Sequence, residues 1–276
     1  MNVIPKKLTA IASALLLGAA LTGVSTMSHA QTANPTEPVS MVTQWDKTFA
    51  QSDKVEHRKV SFKNRYGLTL VADLYLPKKR ESDKPLPVIV FIHGGGWNAQ
   101  DKTDIHQHLD VPAFLNAGIS VASINYRFLA DAHAAKVTPP LQWPLMDAAQ
   151  ALQHLRSKAG EWHLDKTRIA ACGVSAGGCS SLWLAMHDDM ADAKSADPIA
   201  RESTRVLFTA TKAPQPSLDP KQLVEWIPNS EYGGHAFGYV GKTRKETFAP
   251  FLANRDKHLA DLREWSPMSH ASADDP

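Results

Sequence analysis

The segment from Pro87 to His93 reads Pro-Val-Ile-Val-Phe-Ile-His, an unbroken apolar run rich in branched side chains. A strand with one wet face alternates apolar and polar residues, whereas a run without alternation suits a strand covered on both faces. Ile119 to Tyr126 and Arg168 to Gly173 have the same character. Between them, Asp110 to Ala117 reads as a helix. So does Pro144 to about Lys158, where Leu145, Ala148, Ala149, Leu152 and Leu155 recur at three and four residues behind a proline favoured at a first helical position. A third helix begins just after Ser175. Strands alternating with crossover helices predict an α/β fold, a mostly parallel central sheet with helices on both faces.

Upstream, Val60 and Phe62 alternate with polar residues, and the period of two resumes at Leu68, Leu70, Ala72, Leu74 and Leu76. This predicts a strand pair with one face toward the core, joined by a turn at Asn64 to Gly67. A further strand is expected at Arg205 to Thr209. From about 212 to 241 the chain turns rich in Pro, Gly, Asn and aromatic residues, a composition that breaks regular structure and reads as a lid-like segment over a site. No internal repeat is visible.

The first thirty residues form a unit of their own. Lys6 and Lys7 precede an apolar run from Leu8 to Leu21, and Ser28, His29 and Ala30 supply a small-x-small cleavage site. That is the pattern of a secretory signal over residues 1–30, and the run is too short for a stable membrane anchor. A secreted or periplasmic location follows as the expectation. Residues 31–55 read as a polar lead-in and 56–276 as one domain. Without Lys6 and Lys7 the 30 basic residues balance the 28 acidic ones, so the basic excess of a nucleic-acid binder is missing and no nucleic-acid partner is expected. Two cysteines, Cys172 and Cys179, are too few for a disulfide framework and read as small buried side chains.

Two motifs carry chemistry. Gly173-Val174-Ser175-Ala176-Gly177 joins a buried strand to a helix, the context that a G-x-S-x-G turn requires. The bend presents the Ser175 hydroxyl above the sheet as a nucleophile, and the free amide of Ala176 at the helix start favours negative charge nearby. His93-Gly94-Gly95-Gly96-Trp97 ends another buried strand. Attack on an ester carbon turns the carbonyl oxygen into an anion, and aimed N–H donors there are worth about 2.7 to 4 kcal/mol each. Gly94, Gly95 and Ala176 are the candidate donors, with His93 as a residue that shapes the loop rather than a base. The glycine run lacks G-x-G-x-x-G spacing and an acidic ribose partner, which argues against a nucleotide loop. Asp101, Asp104, His106 and His108 match no strong metal-ligand spacing and read as a solvated helix start. Neither a metal nor another cofactor is implied.

With these residues in view, the chain resembles the HGGG-motif esterases of the α/β-hydrolase superfamily, the hormone-sensitive-lipase-like and acetyl or feruloyl esterase branch. The likeness runs from about Val60 onward through His93 to Trp97, Asn125-Tyr126-Arg127, Gly173 to Gly178, Ser266-Pro267 and Ser272 to Pro276. It implies an exported serine carboxylesterase cleaving small acyl esters, with a small-molecule or carbohydrate ester as substrate. In that family the order is Ser, acid, His. This places the acid and base beyond Pro276 and implies a chain truncated at its C-terminus, its last strands and helices missing. His187, His235, His258 and His270 follow Ser175, and Asp256 or Asp261 is placed to orient His270, but their local patterns do not suggest a rewired triad. A peptidase or amidase on the same scaffold, and a non-catalytic ligand-binding relative, remain alternatives.

Overall fold

The computed structural model describes residues 55–63, 68–80 and 82–276. The proposed signal, the lead-in and the Asn64–Gly67 turn lie outside the described residues, apart from Val55, which opens the first strand. Six strands form one sheet: β1 (Val55–Lys63), β2 (Thr69–Pro77), β3 (Leu86–Ile92), β4 (Ser120–Ile124), β5 (Leu164–Val174) and β6 (Thr209–Lys212), in the order β1-β2-β4-β3-β5-β6. β1 and β2 pair antiparallel, and β2 meets β4 antiparallel. β4, β3, β5 and β6 run parallel. This is the mostly parallel sheet expected of an α/β-hydrolase fold.

The apolar run in β3 explains why the sheet is covered twice. Val88, Val90 and Ile92 enter one core, with Ala122 and Ile124 of β4 and Ile169 and Ala171 of β5. Ile89 and Phe91 enter the other, with Val121, Ala170 and Cys172. The first core is closed by α3 (Gln142–Ser157) and α4 (Ala176–Met186), the second by α1 (Val111–Asn116). α2 (Leu129–Ala134) lies between β4 and α3 in the chain. Cys172 and Cys179 are buried and unpaired, one in each core, so the sheet itself stands between them.

Local chemistry sets the helix ends. The Asp110 carboxylate caps α1 by accepting from the Ala113 amide at 3.1 Å. Helix α3 begins at Gln142, so Pro144 sits third rather than first, still inside the first turn where its missing N–H leaves no bond unmade. The strand expected at Arg205 starts later. The Leu207 amide already donates to Ile169 O and the Ala171 amide to Phe208 O, but regular pairing with β5 begins at Thr209.

The segment expected to be a solvated helix start is instead a 3-10 turn, Lys102–Gln107, turned inward. Ile105 is buried, and Lys102 Nζ lies 2.7 Å from the buried Asp73 Oδ2, whose other oxygen meets His57 Nε2 at 3.1 Å. A carboxylate in the middle of a sheet is tolerable only when paired. Burial alone would raise the Asp73 pKa, but His57 and Lys102 together hold it below the ordinary value.

At the end of β4, Arg127 and Asp147 form a second buried pair, with Nε to Oδ2 and Nη2 to Oδ1 both at 2.7 Å, and the Arg127 amide adds a bond to Oδ2 at 3.0 Å. The guanidinium also stacks 3.7 Å over the Trp143 ring. This joins the end of β4 to α3. Replacing Asp147 by Ala leaves a buried cation unpaired and is expected to cost about 3 to 5 kcal/mol, measured as a shift in the urea unfolding midpoint at unchanged slope.

Burial pushes His93, His106 and His154 down to about 4. A histidine held neutral in the fold protonates first in the unfolded chain, which near pH 6 binds protons that the native state refuses. Their contribution is complete above about pH 6.5, the ordinary histidine value, and is lost as pH falls from there toward 4. Thermal unfolding is therefore expected to show a melting temperature that is flat above pH 7 and falls steadily between pH 6.5 and 4.

Candidate active site

Ser175 lies between β5 and α4 with φ 54° and ψ −118°. A positive φ is strained for a residue with a side chain and is held only where the surroundings demand it. The demand here is backbone packing. A Cβ on Gly177 would sit 2.0 Å from Ile92 O and 2.4 Å from His93 O, and one on Gly173 would sit 2.3 Å from Gly177 O. The turn is thus pressed against the end of β3 with no room for side chains. The Ser175 amide donates to Lys212 O at 2.9 Å, and its carbonyl accepts from the Cys179 amide in the first turn of α4.

The glycine loop abuts this bend. A Cβ on Gly94 would meet Val174 O at 2.9 Å and the Ser175 Cβ at 3.5 Å, which places the loop backbone beside the serine. Gly95 and Gly96 adopt φ of 82° and 62°. Trp97 fixes the loop from within: it is wholly buried, and its Nε1 donates to Ser180 Oγ at 3.1 Å, which itself donates to Ala176 O. Gly95 opens a 3-10 turn and Ala176 opens α4, positions whose amides have no partner within the element. All four residues named from sequence, Ser175, Gly94, Gly95 and Ala176, therefore meet at one place, the end of the sheet where β3 and β5 stop.

His93 is sealed rather than catalytic in placement. It has no exposed surface, stacks on Tyr126 at 4.2 Å between centroids, and burial keeps it neutral with a pKa of about 4. The Tyr126 hydroxyl reaches His93 O at 2.9 Å and Gly94 O at 2.7 Å. Asn125 accepts from the Lys102 amide and donates to Asp101 Oδ2, both at 2.7 Å, anchoring the chain that leaves the glycine loop. The Asn125-Tyr126 pair singled out in sequence thus brackets that loop from below.

Sequence reasoning did not anticipate the lid-like segment's partner. Residues 212–241 contain a short helix, α5 (Pro220–Trp226), and a 3-10 turn, Gly234–Phe237. Tyr232 and His235 of this stretch face the third glycine of the loop: a Cβ on Gly96 would lie 3.5 Å from His235 Nε2 and 3.9 Å from the Tyr232 hydroxyl. The two rings are edge to face at 4.9 Å, and burial pushes His235 down to about 4. The chain then continues through α6 (Arg244–Ala253) and α7 (Leu259–Trp265). No histidine among the described residues hydrogen-bonds the Ser175 hydroxyl. His258 meets Tyr239 at 2.9 Å, His187 and His270 meet each other and Glu264, and His235 lies on Gly96. A cavity beside the bend, on the α1 face, is lined by Phe91, His108, Cys172, Val174, Ala210 and Lys212.

The close backbone packing is testable. Gly177→Ala is expected to destabilise the protein by about 3 kcal/mol or more, the upper range for overpacking, whereas Gly160→Ala, whose added methyl meets nothing within 4 Å, leaves the urea midpoint nearly unchanged.

Comparison with known proteins agrees with this geometry. An uncharacterised protein of Pseudomonas aeruginosa is 52% identical over 96 residues, 33% of this chain and 25% of its own length. Gut esterase 1 of Caenorhabditis elegans is 28% identical over 238 residues, covering 85% of this chain and 41% of the worm protein. The chain thus spans less than half the length of these relatives. Among solved structures, a propionate-bound esterase of Thermogutta terrifontis superposes with a TM-score of 0.57 at 20% identity, covering 79% of this chain and 68% of that one, a likeness of fold. The BD-FAE family profile matches residues 72–276, the whole stretch from β2 through both loop motifs to the last residue. On this match, laid over a six-stranded α/β-hydrolase sheet with a serine at its sharp bend, the chain belongs to the BD-FAE family.

Proposed function

We propose that this protein is an exported serine ester hydrolase acting on small acyl esters, with acetyl or feruloyl groups of polysaccharide as the substrate class. The observation that carries the reading is the Ser175 backbone, held at φ 54° at the start of α4 with the Gly94 backbone against it. In this reading Ser175 Oγ attacks the ester carbonyl carbon, and a general base takes its proton. The carbonyl oxygen becomes an anion that accepts from the amides of Ala176 and of Gly94 or Gly95. Helix α4 supports that charge, since its unsatisfied N–H groups and dipole point at the same place. The base returns that proton to the departing alcohol, and water, giving a proton to the same base, then releases the acyl group from the serine as the free acid.

The membership of the BD-FAE family and the likeness to a protein named as an esterase support ester chemistry over amide chemistry. Tyr232 and His235 lie over the glycine loop and are suited to shape the acyl side of the pocket. Export is supported by Lys6, Lys7 and the apolar run that follows. No helix among the described residues is long and apolar enough to cross a membrane.

The test is fluorophosphonate labelling together with hydrolysis of p-nitrophenyl acetate and of peptide anilides. It is run on the purified chain, with folding checked by circular dichroism. Labelling at Ser175, lost in Ser175→Ala, with acetate released and anilides untouched, is the expected result. A folded chain that is unreactive toward the probe would sink the proposal. Oxyanion donors and binding alone sustain roughly 10³ to 10⁴ over water, which sets the floor expected for a serine without a base.

A further inference from the structure

We infer that His187, Glu264 and His270 form a binding site for one late first-row divalent cation, of the Zn²⁺ class, at the far end of helix α4 from Ser175. His187 ends α4, Glu264 lies in the last turn of α7, and His270 ends the 3-10 turn Pro267–His270. One oxygen or nitrogen from each of the three lies within 4.8 Å of the others. His187 Nε2 and Glu264 Oε1 are 3.4 Å apart. That is long for a charge-assisted hydrogen bond, but it equals the ligand-to-ligand separation of roughly 3.4 Å that tetrahedral geometry imposes on bonds of 2.0–2.1 Å. The two imidazole centroids lie 4.4 Å apart with the rings tilted by 41°, so both histidines crowd the same place beside Glu264.

The outer bonds of both rings favour the same conclusion. His187 Nδ1 lies 2.8 Å from Asp188 O, and His270 Nε2 lies 2.6 Å from Glu264 O. A carbonyl only accepts, so each of these nitrogens carries the proton. The lone pairs are left on His187 Nε2 and His270 Nδ1. Ligating histidines characteristically donate their other N–H to a carbonyl or carboxylate, which fixes the tautomer and the ring orientation. Glu264 supplies the anionic ligand, and the C-terminal dipole of α4 adds negative potential at His187. The neighbouring cation, Arg205, holds His187 O and is paired with Asp274, so it brings little net charge. Two nitrogens and one carboxylate select Zn²⁺, Co²⁺ or Ni²⁺ over Mg²⁺ or Ca²⁺.

The role is structural. Ser175 and His187 are twelve residues apart on one helix, about 18 Å at 1.5 Å per residue, too far for a metal at the second to touch chemistry at the first. A cation here would tie the end of α4 to α7 and the turn after it. Trp183 already makes that link through a 2.9 Å bond from Nε1 to Glu264 O.

The test titrates the full, tag-free, chelator-stripped chain with ZnCl₂ against a chromophoric chelator, and with CoCl₂ for its visible absorption. One equivalent bound at micromolar affinity or tighter is expected, unaffected by excess MgCl₂, with a Zn²⁺-dependent rise in melting temperature. His270→Ala and Glu264→Gln should each weaken Zn²⁺ at least tenfold and abolish the rise. Glu264→Gln keeps the backbone carbonyl and alters only an exposed side chain, so the fold is preserved if His270→Ala proves unstable. Absence of stoichiometric binding, or binding that both variants retain in full and that therefore belongs to other histidines, would overturn the inference.

Discussion

The contact between the Gly177 backbone and the carbonyls of Ile92 and His93 is the constraint on which the site rests. A side chain at residue 177 would stand 2.0 Å from Ile92 O, so the start of α4 and the end of β3 touch main chain to main chain. That approach forces the strand-to-helix turn to be sharp and pushes Ser175 to positive φ. Strain of this kind costs of order 1 to 3 kcal/mol. It persists because β3 and β5 are locked side by side in the sheet, each buried on both faces.

The rest of the site follows from the same juxtaposition. With β3 and β5 adjacent, the loop leaving β3 has nowhere to go except past Ser175, and only glycines allow its backbone to come so close. Trp97 then plugs the core beneath the loop and reaches Ser180 on α4, while Tyr126, just past the end of β4, holds the carbonyls of His93 and Gly94. The first amides of α4, beginning with that of Ala176 beside the serine, have no partner within the helix.

Much of this was legible in the residues. The unbroken apolar run of β3 announced burial on both faces, and the core clusters divide Val88, Val90 and Ile92 from Ile89 and Phe91 as a period of two requires. Ser175, Gly94, Gly95 and Ala176 could be named because each answers a local backbone need written into a short motif. The segment around Lys102 misled, because a charged stretch reads as solvated. Here it turns inward to meet Asp73, a partner on another strand that no local pattern reveals. Strand β6 began later than its apolar residues suggested, since register is set by the neighbouring strand and not by composition.

What the sequence by itself determined were elements and motifs whose physics is local: the periodicity of burial and the glycines that a sharp turn and a close backbone approach demand. Only the tertiary structure decided which distant residues became neighbours. Tyr232 and His235 came to lie over Gly96, and His187, Glu264 and His270 gathered at the other end of α4. Those contacts depend on how the segments after β6 pack back across the sheet. Packing of that kind is set by the sum of many weak apolar contacts and not by any residue's own propensity, so the histidines among the described residues gained their separate environments only once the fold was complete.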